Sequence, residues 1–199
     1  MSRAQGSGGE LRRIVRINEE IKSVVATAFK INLMAMNAIF LAKRAGQAAL
    51  GFSVLSNELR RFATDLQQQM EVLRQMTHGS VASVTAAVKS DRLTRVVERL
   101  RAEANGQARA MIERYLRTRS TTSFTPRQEA IDTQNRRLNQ TIADTAQLVE
   151  LGSVLARSAK IEAAYGGTFS AALMQVSSDF ERTIAEIHRS LELLSRNQD

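Results

Sequence analysis

Few residues of this 199-residue chain have the types and spacing that chemistry requires. Its two histidines, His78 and His188, lie far apart in sequence, and neither belongs to a cluster with the spacing of metal ligands. The adjacent carboxylates Glu19 and Glu20 point to different sides of a helix, so they do not face one substrate as general acid and base. The absence of cysteine removes thiolate metal sites, thiol nucleophiles and disulfides. We therefore expect no enzymatic activity, no cofactor, no metal and no small-molecule substrate.

The composition favours helices throughout. The chain has one proline, no tryptophan and few aromatic residues, and it is rich in alanine, leucine, arginine and glutamine. The N-terminus lacks the apolar core of a signal peptide. The uncharged run at residues 31–42 is shorter than the roughly 20 residues that a transmembrane helix needs. We therefore predict an all-α protein located in the cytoplasm.

Apolar residues recur alternately every three and four positions from Leu11 onward, which is the spacing of a helix that winds against partner helices. Gly46 and Gly51 bracket an interruption, after which the same period resumes as far as Met76. This pattern predicts an antiparallel helical hairpin with its bend at residues 46–51. The seam of the first helix consists of Ile14, Ile17, Ile21, Val24, Ala28, Ile31, Ala35, Ala38, Ala42 and Ala45.

The chain is expected to have four regions. Residues 1–9 are rich in glycine and serine and are predicted to be disordered. Residues 10–78 form the first hairpin, which ends where His78-Gly79-Ser80 interrupts the pattern. Thr125 followed by Pro126 predicts a helix start, so residues 123–199 form a second hairpin that packs on the first as a four-helix-bundle or coiled-coil-like rod. Residues 79–122 are an additional helical connection, with a stripe predicted to be buried at Val84, Val88, Val96, Leu100, Ala104, Met111 and Tyr115.

The positive charge is concentrated in that connection. The net charge is +8 and the isoelectric point is about 10.7. Residues 89–119 contain nine Lys or Arg against four Asp or Glu, which is +5 of the total. Glu98, Glu103 and Glu113 are interleaved with the arginines, which favours ordinary pairing on a solvated helical face. Contacts to phosphate groups are the alternative.

One stretch resembles a known family. Residues 32–60 read NLMAMNAIFLAKRAGQAALGFSVLSNELR. In one ungapped register, this sequence is similar to the cytoplasmic hairpin tip of bacterial methyl-accepting chemotaxis proteins. The resemblance implies a four-helix bundle of two hairpins whose tip binds a histidine kinase and its coupling protein. It is carried by Asn32, Leu33, Ala35, Asn37, Ala38, Ala42, Arg44, Ala45, Gly46, Gly51, Phe52, Val54, Glu58 and Arg60.

Roles are implied at individual positions of the tip. Arg44 stands where the family has an arginine used in trimer contacts, and Val54 stands on the coupling-protein face. Leu41 and Gln47 replace family glutamates, and Leu50 replaces an arginine. These replacements predict a more apolar tip that is less suited to the family's polar trimer contacts.

The expected function is therefore protein binding by a receptor-like accessory protein of a chemosensory array. Its partners would be the histidine kinase, the coupling protein or chemoreceptor tips. The alternative is a structural bundle of receptor ancestry whose basic segment binds anionic lipid or nucleic acid. The predicted protein-binding residues, expected at or near the bend and exposed, are Asn37, Leu41, Arg44, Gln47, Leu50, Phe52, Val54 and Glu58.

A second, weaker resemblance lies at residues 155–164, which read LARSAKIEAA and are followed by Gly166, Gly167 and Phe169. It suggests an internal duplication in which one chain carries two degenerate tips. The alternative is that alanine-rich hairpins converge on similar strings. A duplicated chain would form within one polypeptide the bundle that receptors assemble from two, so we expect a monomeric pseudo-dimer or a homodimer.

Overall fold

The computed structural model describes the backbone of residues 2–123 and 125–196. Within these ranges it describes the side chains of residues 9, 12–79, 81–82, 85–86, 88–90, 92–118, 129 and 132–196. Every regular element in the described backbone is helical, which confirms the all-α prediction. The elements in chain order are α1 (Ser2–Ala45), a 3₁₀ turn (Gly46–Ala49), α2 (Leu50–Glu103), α3 (Gly106–Ser123), α4 (Thr125–Ala164), a second 3₁₀ turn (Gly167–Phe169) and α5 (Ser170–Arg196).

The chain divides into two compact units. We call Met1–Val15 with Met76–Leu138 the connector unit, and Arg16–Gln75 with Asn139–Asp199 the bundle unit. The bundle unit holds both 3₁₀ turns, which reverse the chain between α1 and α2 and between α4 and α5. The connector unit holds the start of α4, at the Thr125 boundary that the sequence predicts, although the capping side chain lies outside the described residues.

Packing in the bundle unit is antiparallel. Between α4 and α5, Lys160 Nζ lies 2.6 Å from Glu181 Oε2, and nearer the other end Glu150 Oε1 lies 3.2 Å from His188 Nε2. As residue numbers fall along α4 they rise along α5, so the two helices run in opposite directions. The neighbouring helices also meet, because Thr183 of α5 donates a hydrogen bond to the sulfur of Met34 in α1 at 3.8 Å. The hairpin-bundle prediction is therefore confirmed.

The predicted seam is the core of the first hairpin. Each seam position of α1 from Ile14 to Ala42 is at most 6% exposed. On α2, the predicted positions Leu59, Phe62, Leu66 and Leu73 are also buried. The run of buried alanines at positions 35, 38 and 42 lets neighbouring helices approach closely near the bend, because alanine adds only a methyl group to the helix surface.

The two hairpins repeat each other at a constant spacing. Gly46 and Gly167, which both have positive φ, are 121 residues apart. Buried residues before and after the first bend have buried counterparts 121 positions later, with no insertion or deletion between the two hairpins. Even a side-chain hydrogen bond repeats: Ser56 Oγ donates to the Phe52 carbonyl at 2.8 Å, and Ser177 Oγ donates to the Leu173 carbonyl at 3.0 Å. Buried pairs at this spacing are Ala35/Ala156, Ala38/Ala159, Ala42/Ala163, Phe52/Leu173, Ser56/Ser177, Leu59/Phe180, Leu66/Ile187 and Leu73/Leu194.

Two sequence predictions about the connector unit are wrong. The helix does not break at residues 78–80, because α2 continues to Glu103. Near this point, Gln134 Nε2 of α4 donates a hydrogen bond to the Met76 carbonyl at 3.0 Å. The stripe predicted to be buried is largely exposed: Val96, Leu100, Met111 and Tyr115 are each at least half exposed. Val88 and Ala104 are half-buried, and the side chain of Val84 lies outside the described residues.

The N-terminal segment is helical from Ser2, since α1 begins there. The disorder expected for residues 1–9 stays a prediction. The expected region boundaries at residues 78 and 122 also stay predictions.

One helical segment is long and apolar enough to span a membrane, judged by length and composition alone. The apolar window lies in the segment Arg12–Gly79, has a mean hydropathy of 1.7 and is 28% buried within the structure. In the same segment, the buried seam of α1 recurs with the three-and-four spacing of a packed helix.

Candidate protein-docking tip

The first chain reversal is short and depends on one glycine. α1 ends at Ala45, and Gly46 takes φ of 70°, in the left-handed region that glycine enters without strain. The turn closes when the Leu50 N–H donates to the Gln47 carbonyl, after which α2 begins at once. Ala49 is buried beneath the turn, while Gln47 and Ala48 are exposed. Lys43 and Arg44 occupy the last turn of α1, where positive charge stabilises the helix dipole.

The second reversal is built in the same way, with Gly167 at φ of 57°. Two backbone hydrogen bonds prepare it, from the Tyr165 N–H to the Glu162 carbonyl at 3.1 Å and from the Gly166 N–H to the Ala163 carbonyl at 3.2 Å. A Cβ at Gly166 would collide with the Leu173 side chain, which a residue larger than glycine would have to displace.

The second hairpin approaches the first tip at Gly51. A Cβ at Gly51, on the first turn of α2, would collide with the carboxylate of Glu162 on α4. Glu162 is the repeat equivalent of Leu41, since the two are 121 residues apart in sequence. Glycine at position 51 therefore leaves room for an acidic side chain of the second hairpin beside the first tip.

Five of the eight predicted docking residues are exposed around the first bend. Asn37, Arg44 and Gln47 are exposed, and the apolar side chains of Leu50 and Val54 are 56% and 61% exposed. Leu41 is half-buried. Glu58 is half-buried and pairs with Arg61 at 2.8 Å, an ion pair that the second hairpin repeats as Asp179–Arg182 at 2.6 Å.

The expectation that Phe52 is exposed is wrong. Its side chain is fully buried, and its repeat equivalent Leu173 is buried as well. Phe52 lies on the core face of α2, between the exposed side chains of Leu50 and Val54. Its contribution to the tip is to anchor the first turn of α2 in the core.

A second apolar row on α1 was not among the predicted docking residues. Phe29, Leu33, Met36 and Phe40 recur every four, three and four residues and are 43–62% exposed. The signal was present as a second heptad spacing, in which Phe29 and Met36 directly follow the buried Ala28 and Ala35. We call Phe29, Leu33, Met36, Phe40, Leu50 and Val54 the apolar docking set.

The second hairpin does not repeat this set. At a spacing of 121 residues, Phe29 corresponds to Glu150, Met36 to Arg157 and Val54 to Gln175. Leu50 corresponds to Ala171, and only Leu33 and Phe40 have large apolar counterparts, Val154 and Ile161. The two hairpins therefore share a core but differ on their outer faces.

A histidine with carboxylate neighbours lies in the bundle unit, away from the first tip in sequence. His188, which is 42% exposed, lies between Glu150 Oε1 at 3.2 Å and Glu192 Oε1 at 3.3 Å. It borders a cavity of about 370 Å³ between α4 and α5, lined also by Asn139, Ile142 and Leu191. Among the described residues, no three His, Asp or Glu side chains are grouped to hold a metal ion.

Comparisons with known proteins agree with the resemblance of the tip. The chain is 39% identical over 82 residues to the methyl-accepting chemotaxis protein PcaY of Pseudomonas putida strain F1. It is 37% identical over 75 residues to TlpQ of Pseudomonas aeruginosa, and 39% identical over 70 residues to McpQ of Pseudomonas putida strain KT2440, both also methyl-accepting chemotaxis proteins. These matches cover 35–41% of this chain. The recognised similarity to methyl-accepting chemotaxis proteins is therefore confirmed.

The similarity is partial in both directions. The chain spans about 10–15% of the length of these relatives. No family model matches the chain. No solved structure matches it significantly.

Proposed function

We propose that this chain, which shares part of its sequence with chemotaxis receptors, acts in chemosensory signalling by binding other signalling proteins through its first hairpin tip. The proposed partners are the chemotaxis histidine kinase, the coupling protein or the tips of chemoreceptors. The bundle works in the cytoplasm and acts by occupancy, either completing a signalling array or covering a docking surface on one of its members. No reaction step is needed for either role.

The observation that carries this proposal is the placement of Leu50 and Val54. Both follow the reversal at Gly46 directly, and both are more than half exposed while Phe52 between them is buried. Two branched apolar side chains held outward by a buried aromatic anchor provide the desolvated centre that protein interfaces use. Exposed apolar side chains at the tip contribute nothing to the core of the isolated bundle, whereas a binding partner would remove them from water.

The difference between the hairpins favours the first tip as the docking tip. The equivalents of Val54 and Leu50 are Gln175 and Ala171, which supply less apolar area. The second hairpin thus completes the bundle, and the first supplies the surface. One chain would then dock one partner at this surface.

The proposal is tested by a binding measurement with a matched pair of variants. Purified kinase and coupling protein of Pseudomonas putida, the organism of two of the relatives, serve as partners. Val54→Arg places a charge in the apolar docking set, and Gln175→Arg places the same charge at the repeat-equivalent exposed position. We expect wild type and Gln175→Arg to bind and Val54→Arg to lose at least about tenfold in affinity, as for a residue at an interface centre.

Both substitutions fall on exposed positions, so both variants should unfold at the wild-type urea concentration. A receptor-tip fragment is included as a third partner. Equal binding by the two variants, or absence of binding by the wild type to kinase, coupling protein and receptor tip, contradicts the proposal.

A further inference from the structure

The connector unit carries a row of exposed apolar side chains beside a row of arginines. On α2, Leu93, Val96 and Leu100 are 55%, 53% and 52% exposed. They recur three and four residues apart and therefore form one stripe along the helix. This stripe is solvent-exposed in the folded chain, although the sequence pattern alone suggests burial.

Basic residues border the stripe. Arg92, Arg95 and Arg99 are exposed and precede the three apolar residues by one position each, which places them along one side of the stripe. Lys89 is exposed and extends the stripe by one helical turn. Glu98 lies about 140° around the helix from Leu93, on another side, whereas Glu103 lies about one helical turn beyond Arg99 on the same side of α2.

The next helix, α3, also carries exposed apolar side chains beside an arginine. On α3, Met111 and Tyr115 are 74% and 50% exposed, and Arg114 beside them is exposed. Glu113 is already engaged, because its carboxylate lies 3.1 Å from Arg101 and 3.6 Å from Arg109. Arg92 and Arg99, which border the stripe on α2, are not among the residues of this ion-pair cluster.

An apolar stripe bordered by arginines fits one kind of surface. Leucine and valine side chains cannot hydrogen-bond to phosphates or base edges, and residues 89–118 contain a single aromatic residue, Tyr115, whereas single-stranded nucleic acids are bound by several stacking aromatic side chains. In contrast, a helix at a lipid interface buries apolar side chains below the headgroups while arginines reach anionic phosphates. The +5 charge of residues 89–119 is complementary to an anionic leaflet.

We propose that the exposed stripe Leu93, Val96 and Leu100, with Arg92 and Arg99 beside it, is a binding site for the surface of an anionic lipid membrane. This site is peripheral: the helix lies at the headgroup level and is released by salt. The inference concerns the connector unit and does not depend on the proposed docking tip.

Co-sedimentation of the full chain with vesicles tests the site. Vesicles of phosphatidylcholine alone are compared with vesicles that also contain about 30% phosphatidylglycerol, an anionic lipid. We expect binding to the anionic vesicles alone, with most of the protein released when salt is raised from about 0.1 M to about 0.5 M. The combined variant Leu93→Gln, Val96→Gln and Leu100→Gln should lower the partition coefficient at least about tenfold. Arg92→Gln with Arg99→Gln should lower it by a similar factor.

A matched control removes equally exposed apolar residues elsewhere. Leu151→Gln, Val154→Gln and Leu193→Gln, at positions 46–54% exposed in the bundle unit, should bind vesicles as the wild type does. Circular dichroism verifies that each variant remains helical. Equal binding to neutral vesicles, equal loss in the control, unchanged binding in the Leu93 variant, or retention of duplex DNA without vesicle binding would each overturn the proposal.

Discussion

The ring of Phe62 in α2 occupies the space that any side chain at Gly152 in α4 would need. A Cβ placed at Gly152 would lie 2.6 Å from Phe62 Cζ and under 3 Å from both Cε atoms. The repeat equivalents of Phe62 and Gly152 are Thr183 and Ile31, all four of them buried. At both pairs of equivalent positions the first hairpin has the larger residue and the second hairpin the smaller one, so the two hairpins are not interchangeable in the packed core.

Gly152→Val should destabilise the protein. Phe62 is only 2% exposed, so the added side chain must displace atoms of a packed core. We expect the free energy of unfolding, measured by urea denaturation, to fall by about 1–3 kcal/mol. The double variant Gly152→Val with Phe62→Leu should recover part of this loss because it removes the ring. An unchanged or increased free energy of unfolding in Gly152→Val would show that the two side chains do not share this space.

Gly46→Ala should destabilise the first reversal without any clash. No atom lies within 4 Å of the added Cβ, so the cost arises from the φ of 70° alone. A residue with a side chain pays about 1–2 kcal/mol in this conformation. Gly9→Ala is the control, since Gly9 also has open space around its Cβ but no positive φ, and alanine favours helix. If both variants unfold at the same urea concentration, the reversal does not need a left-handed residue.

The ion pair between Glu113 and Arg101 should make the contact between α2 and α3 depend on pH. The hydrogen bond and charge of Arg101, with a smaller contribution from Arg109, hold the pKa of Glu113 below its ordinary value of 4.5. Because the folded pKa is depressed, the contact is fully formed above pH 4.5 and is lost as the pH falls through the folded pKa.

NMR titration of the Glu113 carboxyl carbon measures this pKa directly. In Arg101→Gln the titration midpoint should move up toward the ordinary value. A midpoint in the wild type at or above 4.5 would contradict the ion pair.

Since the two hairpins of one chain complete a bundle core, the chain should be a monomer in dilute solution. Light scattering after size-exclusion chromatography should give a mass near 22.0 kDa. A mass of twice this value that persists on dilution would show that the exposed faces of the bundle associate with a second copy.

The core of the bundle was predictable because its seam is strictly periodic. Apolar residues spaced by three and four from Ile14 to Ala42 all lie on one face of a helix, which packing must bury. Each of them is buried in the structure. The bend was predictable from Gly46, which interrupts that period. Exposure at the tip was harder, since Leu50, Phe52 and Val54 are all apolar and alternate between surface and core within one helical turn.

Two features of the connector unit could not be predicted from local sequence: the continuity of α2 through residues 78–80 and the exposure of its apolar stripe. His78, Gly79 and Ser80 look like a helix break, but a glycine inside a helix costs only about 1 kcal/mol. The hydrogen bond from Gln134 to the Met76 carbonyl reaches α2 from a residue 58 positions away. The exposure of Val96 and Leu100 has the same origin, because periodicity locates a stripe but does not supply the element that covers it.

Hydrogen exchange of the whole chain, with and without purified coupling protein, tests the central claim most directly. Amides of residues 44–58, around the first reversal, should exchange more slowly in the complex, while those of residues 165–179, the repeat-equivalent stretch, should exchange as in the free chain. Protection confined to residues 165–179, or equal protection of both stretches, would contradict an account in which the first hairpin alone carries the docking surface.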